Sequence, residues 1–335
     1  MILYQSHQAV FESFGLFDYQ PLAARWQEAH RYYHNEAHLQ QLLERIEGAR
    51  LTQQLSDDAY ASLIMAAYFH DAVYEPRRQD NEVLSALLFE QMTAPHPLRE
   101  DIKTIILDTA THQSSNELSA QFSAWDMEIV SQGSLDELLA WERGIFKEYQ
   151  FLEYSLYKQL RLQLLARWEQ EFPANAANLQ FLQAYLRQYR PRIGVYAGSF
   201  NPFHNGHLNI LEKAEAIFDK IIVAQGINPE KQAEDLYKLT DINALRHRQL
   251  DTFSAFLTEY LSSKEQDAEV VLVRGLRNGD DLDYEVNQLR FMDEMKADLK
   301  IVFIPCDKQF EHISSSGIKN LEKVRKGAGK QYLPL

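Results

Sequence analysis

Two histidines, His204 and His207, flank Asn205 and Gly206 in the stretch GSFNPFHNGHLNIL (198–211), directly after an apolar run. Imidazoles at that spacing suit phosphate oxygens if they stand at a helix start, where free N–H groups and a partial positive charge already favour an anion. The glycine lets the backbone approach a ligand closely. Complementary groups follow in order: Arg274 and Arg277 in VRGLRNGDDLDYE, and Ser314, Ser315 and Ser316 in ISSSGIK. Guanidinium forks grip phosphates through paired N–H bonds, and serines at a helix start add hydroxyl and backbone donors. Taken singly, the arginines could pair with Asp280, Asp281 and Asp283, and the serines could be plain caps. Together they describe a site for one triphosphate. Lys330 after Gly329 does not add a P-loop, because Val324 is not glycine and Gln331 is neither Ser nor Thr.

A second set of reactive residues lies far upstream. FHDAVY places His70 and Asp71 side by side late in an apolar helix, and His34, His38, His112 and Asp126 occur around it in chain order. A buried carboxylate must be paired or bound to metal. Neighbours on a helix face different ways, so both residues serve one site only with a cation between them, or bridging a pair of cations. A lone histidine on an apolar helix is usually a satisfied core residue; the ordered set favours a metal.

The elements that carry these two sets differ in texture. The first 190 residues read as successive amphipathic helices: NEAHLQQLLERIEGA, DDAYASLIMAAYFHDAVY, DNEVLSALLFEQM, REDIKTIILDTATHQ, a long stretch from Leu135 to Trp168, and NAANLQFLQAYLRQY. Pro191 marks a stop. Beyond it, RIGVYAG, KIIVAQG, EVVLVRG and LKIVFIP have strand length, and segments such as HLNILEKAEAIF and INALRHRQLDTF have helical spacing. This alternation predicts a doubly wound parallel sheet with ligands at the strands' carboxyl ends. The expected organisation is an all-α domain over 1–190 and an α/β domain over 191–335, without repeats.

Bulk composition bounds the partners. The 335 residues include 34 basic and 48 acidic ones, a net charge of −14, which argues against a general grip on nucleic acid or anionic membrane. Cys306 is the only cysteine, which excludes disulfide scaffolding and cysteine-ligated zinc. No apolar run approaches the roughly 20 residues that span a bilayer, and no signal peptide is evident, so a cytoplasmic protein is expected.

The ordered motifs of residues 192–335 resemble those of pantetheine-phosphate adenylyltransferases, within the nucleotidyltransferases that carry a His-x-Gly-His motif. The resemblance implies a Rossmann-like domain that moves an adenylyl group from ATP to a phosphorylated acceptor, 4′-phosphopantetheine first. It implies that His204 and His207 neutralise the transition state and that Lys231 holds the acceptor phosphate. Arg274 would clamp that phosphate, and Arg277 would reach the β- and γ-phosphates. Ser199 (usually threonine in the family), Phe200, Gly275, Glu285 and Ser314 to Ser316 would bind ATP, with Ser199 and Leu257 also on the acceptor side. Mg²⁺ would accompany ATP, and a homo-oligomer is implied. The family normally has threonine where this chain has His204, and the segment after Lys231 matches poorly. Upstream, YHN..H, FHD.VY and the Asn81–Glu82…Ser85–Ala86 box resemble the HD superfamily of metal-dependent phosphohydrolases. That implies a divalent metal (Mn, Fe, Zn, Ni or Mg) on His34, His70, Asp71 and Asp126, with His38, Glu82 and His112 beside the ligands or the substrate.

Overall fold

The structure is a computed structural model, and it describes residues 2–52, 55–227 and 237–334. Compactness divides the chain less simply than its change of texture predicts. One unit comprises Met1–Glu148 with Leu164–Gln183, the other Tyr149–Gln163 with Ala184–Leu335. Two helices, α7 (Tyr154–Glu171) and α8 (Ala176–Gln188), run through the division. The start of α7 belongs with the second unit because its groups are used there: Lys158 pairs with Asp267 at 2.9 Å, and the Tyr154 hydroxyl donates to the Tyr189 carbonyl.

The first unit is helical. Short helices Gln8–Ser13 and Gln20–Trp26 precede α1 (Glu36–Leu51), α2 (Asp57–Phe69), α3 (Asn81–Met92), α4 (Arg99–Asp108), α5 (Glu117–Asp126) and α6 (Leu135–Glu148). Capping side chains set the starts: Asn35 accepts from Ala37 N–H, Ser56 from Ala59 N–H and Asn116 from Ser119 N–H. Helix α2 is buried on every side from Ser62 to Phe69, as an apolar helix at the centre of a core should be. Leu39, Leu42, Leu43 and Ile46 of α1 meet it along one face, each adding roughly 1.5–3 kcal/mol of burial.

Sequence spacing predicts that this central helix carries His70 and Asp71. The helix instead closes at Phe69, with His70 as its C-cap and Asp71 in the turn that follows. Leaving the helix releases the two side chains from opposed directions.

In the second unit β1 (Arg192–Gly198), α9 (Asn205–Glu215), β2 (Lys220–Gly226), β3 (Gln249–Phe253), α10 (Leu257–Ser263), β4 (Glu269–Leu276), α11 (Gly279–Met295), β5 (Ile301–Pro305) and α12 (Ser315–Val324) follow in order. The sheet has five parallel strands in the order β3-β2-β1-β4-β5. This is a Rossmann-like arrangement. Strand order reverses beside β1, and the crevice there, at the carboxyl ends of β1 and β4, is where such sheets bind ligands. The register Tyr196↔Val223 and Tyr196↔Val273 puts side chains against α9, whose Ile210, Leu211 and Ala214 complete the core.

One expectation fails here. INALRHRQLDTF (242–253) has helical spacing, yet it forms one short 3₁₀ turn, Asn243–Leu245, and then β3. Backbone pairing along β2, from Ile222↔Gln249 to Gly226↔Phe253, outweighs the local periodicity.

Candidate active sites

The crevice in the second unit is a cleft of about 580 Å³. Ser199, His204, His207, Gly275, Arg277, Glu285 and Ser314 to Ser316 all line it, so the scattered motifs converge. His204 is the N-cap of α9. Its Nδ1 accepts the His207 N–H at 3.3 Å, while His207 Nδ1 accepts the His204 N–H at 3.2 Å. The rings stack with centroids 3.6 Å apart. A Cβ at Gly206 would come within 3.2 Å of the His204 ring, which explains the glycine.

Reciprocal capping has an electrostatic consequence. Each Nδ1 is an acceptor and carries no proton, so the proton of each neutral ring sits on Nε2. Burial, then the Arg277 charge, pushes His204 down to about 4. Burial, His204 and Arg277 hold His207 well below its ordinary value. Both imidazoles are therefore neutral hydrogen-bond donors near pH 7.

The arginines are held by carboxylates. Arg277 lines the cleft and grips Asp281 at 2.7 and 2.9 Å. Arg274 does not line it; its fork makes two 2.6 Å bonds to Glu285, and its remaining nitrogen donates to the Ala197 carbonyl. Ser314 caps α12 by accepting the Gly317 N–H, and the Ser315 hydroxyl donates to the Pro202 carbonyl. Phe200, expected against ATP, is buried and is not part of the cleft lining. It turns the chain at φ 45° and sets its ring edge-on to His207, 5.1 Å between centroids. Leu257 begins α10, outside the cleft lining. Lys231 lies outside the described residues.

Sequence reasoning missed Lys319 and Tyr284, which also line the cleft. Lys319 could have been found, because it stands one turn beyond Ser315 and Ser316 on the same helix face.

In the first unit His38, His70 and Asp126 offer ligand atoms that all lie within 4.8 Å of one another. His38 Nε2 is 3.1 Å from Asp126 Oδ1, and His70 Nε2 is 3.2 Å from Asp71 Oδ2 and 3.8 Å from Asp126 Oδ1. Neither nitrogen makes a hydrogen bond, although both are buried, and the same is true of His112 Nδ1. His70 Nδ1–H donates to the Ala67 carbonyl, which leaves Nε2 as its ligand atom. Burial alone would lower the His70 pKa, but the charges of Asp71 and then Asp126 lift it to about 9, and Asp71 is held far below the usual carboxylate range. Buried imidazole nitrogens that face carboxylates without a hydrogen bond fit a cation of the imidazole–carboxylate class.

The structure thus brings His38 into the ligand cluster, where sequence reasoning puts it alongside. His34 stands next to that cluster: its Nδ1 is bound to Glu148 at 2.7 Å, and its ring is 6.0 Å from that of His38. His112, at φ 53°, has Nδ1 3.9 Å from Asp126 Oδ2. Glu82 lies in the first turn of α3, its pKa raised by burial and by Asp71. A pocket of about 420 Å³ opens onto His38 and Asp126, walled by Gln41, Arg45, Trp125 and Gln132.

A parallel sheet whose switch point holds paired imidazoles, a guanidinium and a serine-started helix defines a nucleotidyltransferase of the cytidylyltransferase-like class, and the model of the family described as "Cytidylyltransferase-like" matches residues 195–321. Among relatives, the phosphopantetheine adenylyltransferase of Actinobacillus pleuropneumoniae serotype 3 (strain JL03) is 33% identical over 148 residues, 42% of this chain and 90% of the relative. That of Syntrophomonas wolfei subsp. wolfei is 37% identical over 134 residues, 38% of this chain and 81% of the relative. That of Alkaliphilus metalliredigens is 30% identical over 151 residues, 43% and 92%. Through this unit, the chain belongs to the phosphopantetheine adenylyltransferase family. No helix among the described residues is long and apolar enough to cross a membrane.

Proposed function

We propose that the second unit transfers an adenylyl group from ATP to a phosphorylated acceptor, 4′-phosphopantetheine, with release of pyrophosphate. The observation that carries this is the stacked His204–His207 pair opening, with Arg277 and Ser314 to Ser316, onto one cleft. An acceptor phosphate oxygen attacks the α-phosphorus, the bond to the β-phosphate oxygen breaks, and pyrophosphate departs. No covalent enzyme intermediate is needed; catalysis is positioning plus absorption of the charge that builds on the transferring phosphoryl group. The two Nε2–H groups donate to its oxygens, Arg277 and the α12 start hold the β- and γ-phosphates, and Ser199 supplies a hydroxyl near the acceptor. Lys231 and Arg274 are assigned to the acceptor phosphate, with Arg274 exchanging Glu285 for it. Among the described residues no trio of metal ligands lies in this cleft, so Mg²⁺ would arrive on the nucleotide, held mainly by phosphates and water. The test is pyrophosphate release and product mass with ATP and a panel of phosphorylated acceptors. ATP binding without release would leave a nucleotide sensor instead. A homo-oligomer is also proposed, supported by the exposed apolar side chains Tyr284, Phe291 and Met295 on α11.

For the first unit we propose a metal-dependent phosphohydrolase of the HD type. The buried nitrogens of His38 and His70, which face Asp126 and Asp71 without forming a hydrogen bond, carry this second assignment. His34, His38, His70, Asp71 and Asp126 would hold the ion, with His112 and Glu82 around it. When bound, the metal supplies an activated water and an electrophile for the phosphoryl group. The chain's own contribution is to fix the imidazoles and to offer the Gln41–Trp125 pocket to the rest of the ester. Metal analysis and a phosphomonoester screen on the full chain test it; bound metal without turnover would indicate a regulatory module.

A further inference from the structure

Glu148 ends α6 with only 1% of its surface exposed. A carboxylate there is doubly disfavoured, by burial and by the negative end of the helix. Five donors compensate it. Oε1 accepts the consecutive backbone N–H groups of Tyr32, Tyr33 and His34 at 2.8, 2.7 and 2.9 Å. Oε2 accepts the His34 Nδ1–H and the Tyr74 hydroxyl, both at 2.7 Å. The His34 ring stacks on Tyr74 with centroids 4.3 Å apart. The backbone of 32–34, the rotation of the His34 ring and the place of its proton are all set by one side chain. Nδ1 carries that proton, so Nε2 keeps the lone pair, and it makes no hydrogen bond among the described residues.

The neighbouring Arg31 works to the same end. Its Nη1 donates to the carbonyls of His34 at 3.1 Å and Asp71 at 2.7 Å, tying the two loops together. The guanidinium is held between the rings of Trp26 and Tyr74, 5.5 and 5.3 Å away. This frame sits beside the cluster of His38, His70 and Asp126, with the His34 and His38 rings 6.0 Å apart.

Resting on the cation-site reading above, we propose that Glu148 is a positioning residue of that site: it locks His34 in the one tautomer and orientation whose Nε2 lone pair is left for the cation. Glu148→Gln is the informative change because it is nearly isosteric. Its carbonyl oxygen would keep the three backbone donors, and its NH₂ would then face Nδ1. That arrangement makes Nδ1 an acceptor, moves the proton to Nε2 and removes the lone pair.

The experiment titrates Co²⁺ into the chelator-stripped full-length protein and follows the visible d–d bands and the dissociation constant. Wild type, Glu148→Gln, His34→Ala and the double variant are compared, with apo-protein melting as the control for folding. Glu148→Gln is expected to weaken Co²⁺ binding by about 10- to 100-fold and to change the band shape. In the His34→Ala background the same change should alter affinity by less than about twofold, because its effect passes through His34. An equal loss in both backgrounds, or no loss in either, overturns the proposal. Should Glu148→Gln unfold the apo-protein, Tyr74→Phe takes its place, removing one donor from Oε2. Weakened Co²⁺ binding only where His34 is present then supports the proposal, and unchanged binding overturns it. A wild-type protein that binds no Co²⁺ removes the cation-site reading itself, whereas wild-type binding with an indifferent Glu148→Gln removes only the role of Glu148.

Discussion

Replacing His204 separates two jobs that the structure gives to one side chain. Its Nδ1 caps α9 by accepting the His207 N–H at 3.3 Å, and its Nε2–H is left for phosphate. His204→Ala removes both. The lost cap costs about 1 kcal/mol, and the space left by a ring only 4% exposed brings the total to about 2 kcal/mol. In a unit of this size that lowers Tm by roughly 4–8 °C. His204→Asn restores a good cap through its side-chain oxygen, so its stability should lie within about 1 kcal/mol of wild type. Both variants lose the imidazole donor, and each should fall by about 10²- to 10³-fold in kcat, the usual effect of removing one preorganised donor to a transition-state oxygen. Pyrophosphate release from ATP and 4′-phosphopantetheine reads the rate, and thermal unfolding of the full-length protein reads the cap. An Asn variant with wild-type kcat would refute the donor role. Equal melting of the Ala and Asn variants would refute the cap.

Three other outcomes follow from the same geometry. Burial and Arg277 depress His204 to about 4, whereas an unfolded imidazole titrates near ~6.5; between those values only the unfolded chain gains the proton, so stability is full above ~6.5 and falls by up to roughly 3 kcal/mol as pH drops toward 4. Denaturant titrations from pH 7.5 to 4.5 should show a steeper loss for wild type than for His204→Asn, and parallel curves would contradict this. Lys319→Ala should raise the KM for ATP about tenfold with little change in Tm, because the half-buried ammonium lines the cleft without a carboxylate partner among the described residues. Asp126→Asn should strip the metal of the first unit, measured by elemental analysis, while pyrophosphate release is unchanged.

Much of this architecture is written locally. The strands RIGVYAG, KIIVAQG, EVVLVRG and LKIVFIP announce themselves through β-branched runs bounded by glycine or proline, and they became β1, β2, β4 and β5. QLDTF did not, because its strand character comes from an edge position beside β2 rather than from its own pattern. Convergence of Ser199, His207, Arg277 and Ser315 on one cleft was legible because each closes a strand or opens a helix at the same end of the sheet. The pairing of Arg274 with Glu285 was not, since a spacing of eleven residues across a strand–helix turn does not say which way either points. Likewise His34 and His38 are equivalent as letters. Only the fold shows one bound to Glu148, 114 residues away, and the other facing Asp126. Glu148 left one trace in the sequence, an acidic residue where a helix end disfavours it.

The most direct test of the central claim is a crystal structure of the full-length protein with a non-hydrolysable ATP analogue and Mg²⁺. The predicted result places the triphosphate between the stacked imidazoles and the start of α12, with His204 Nε2, His207 Nε2, Arg277 and Lys319 each within hydrogen-bond reach of its oxygens. A nucleotide bound elsewhere, or one in this cleft whose phosphates touch neither imidazole, would contradict it.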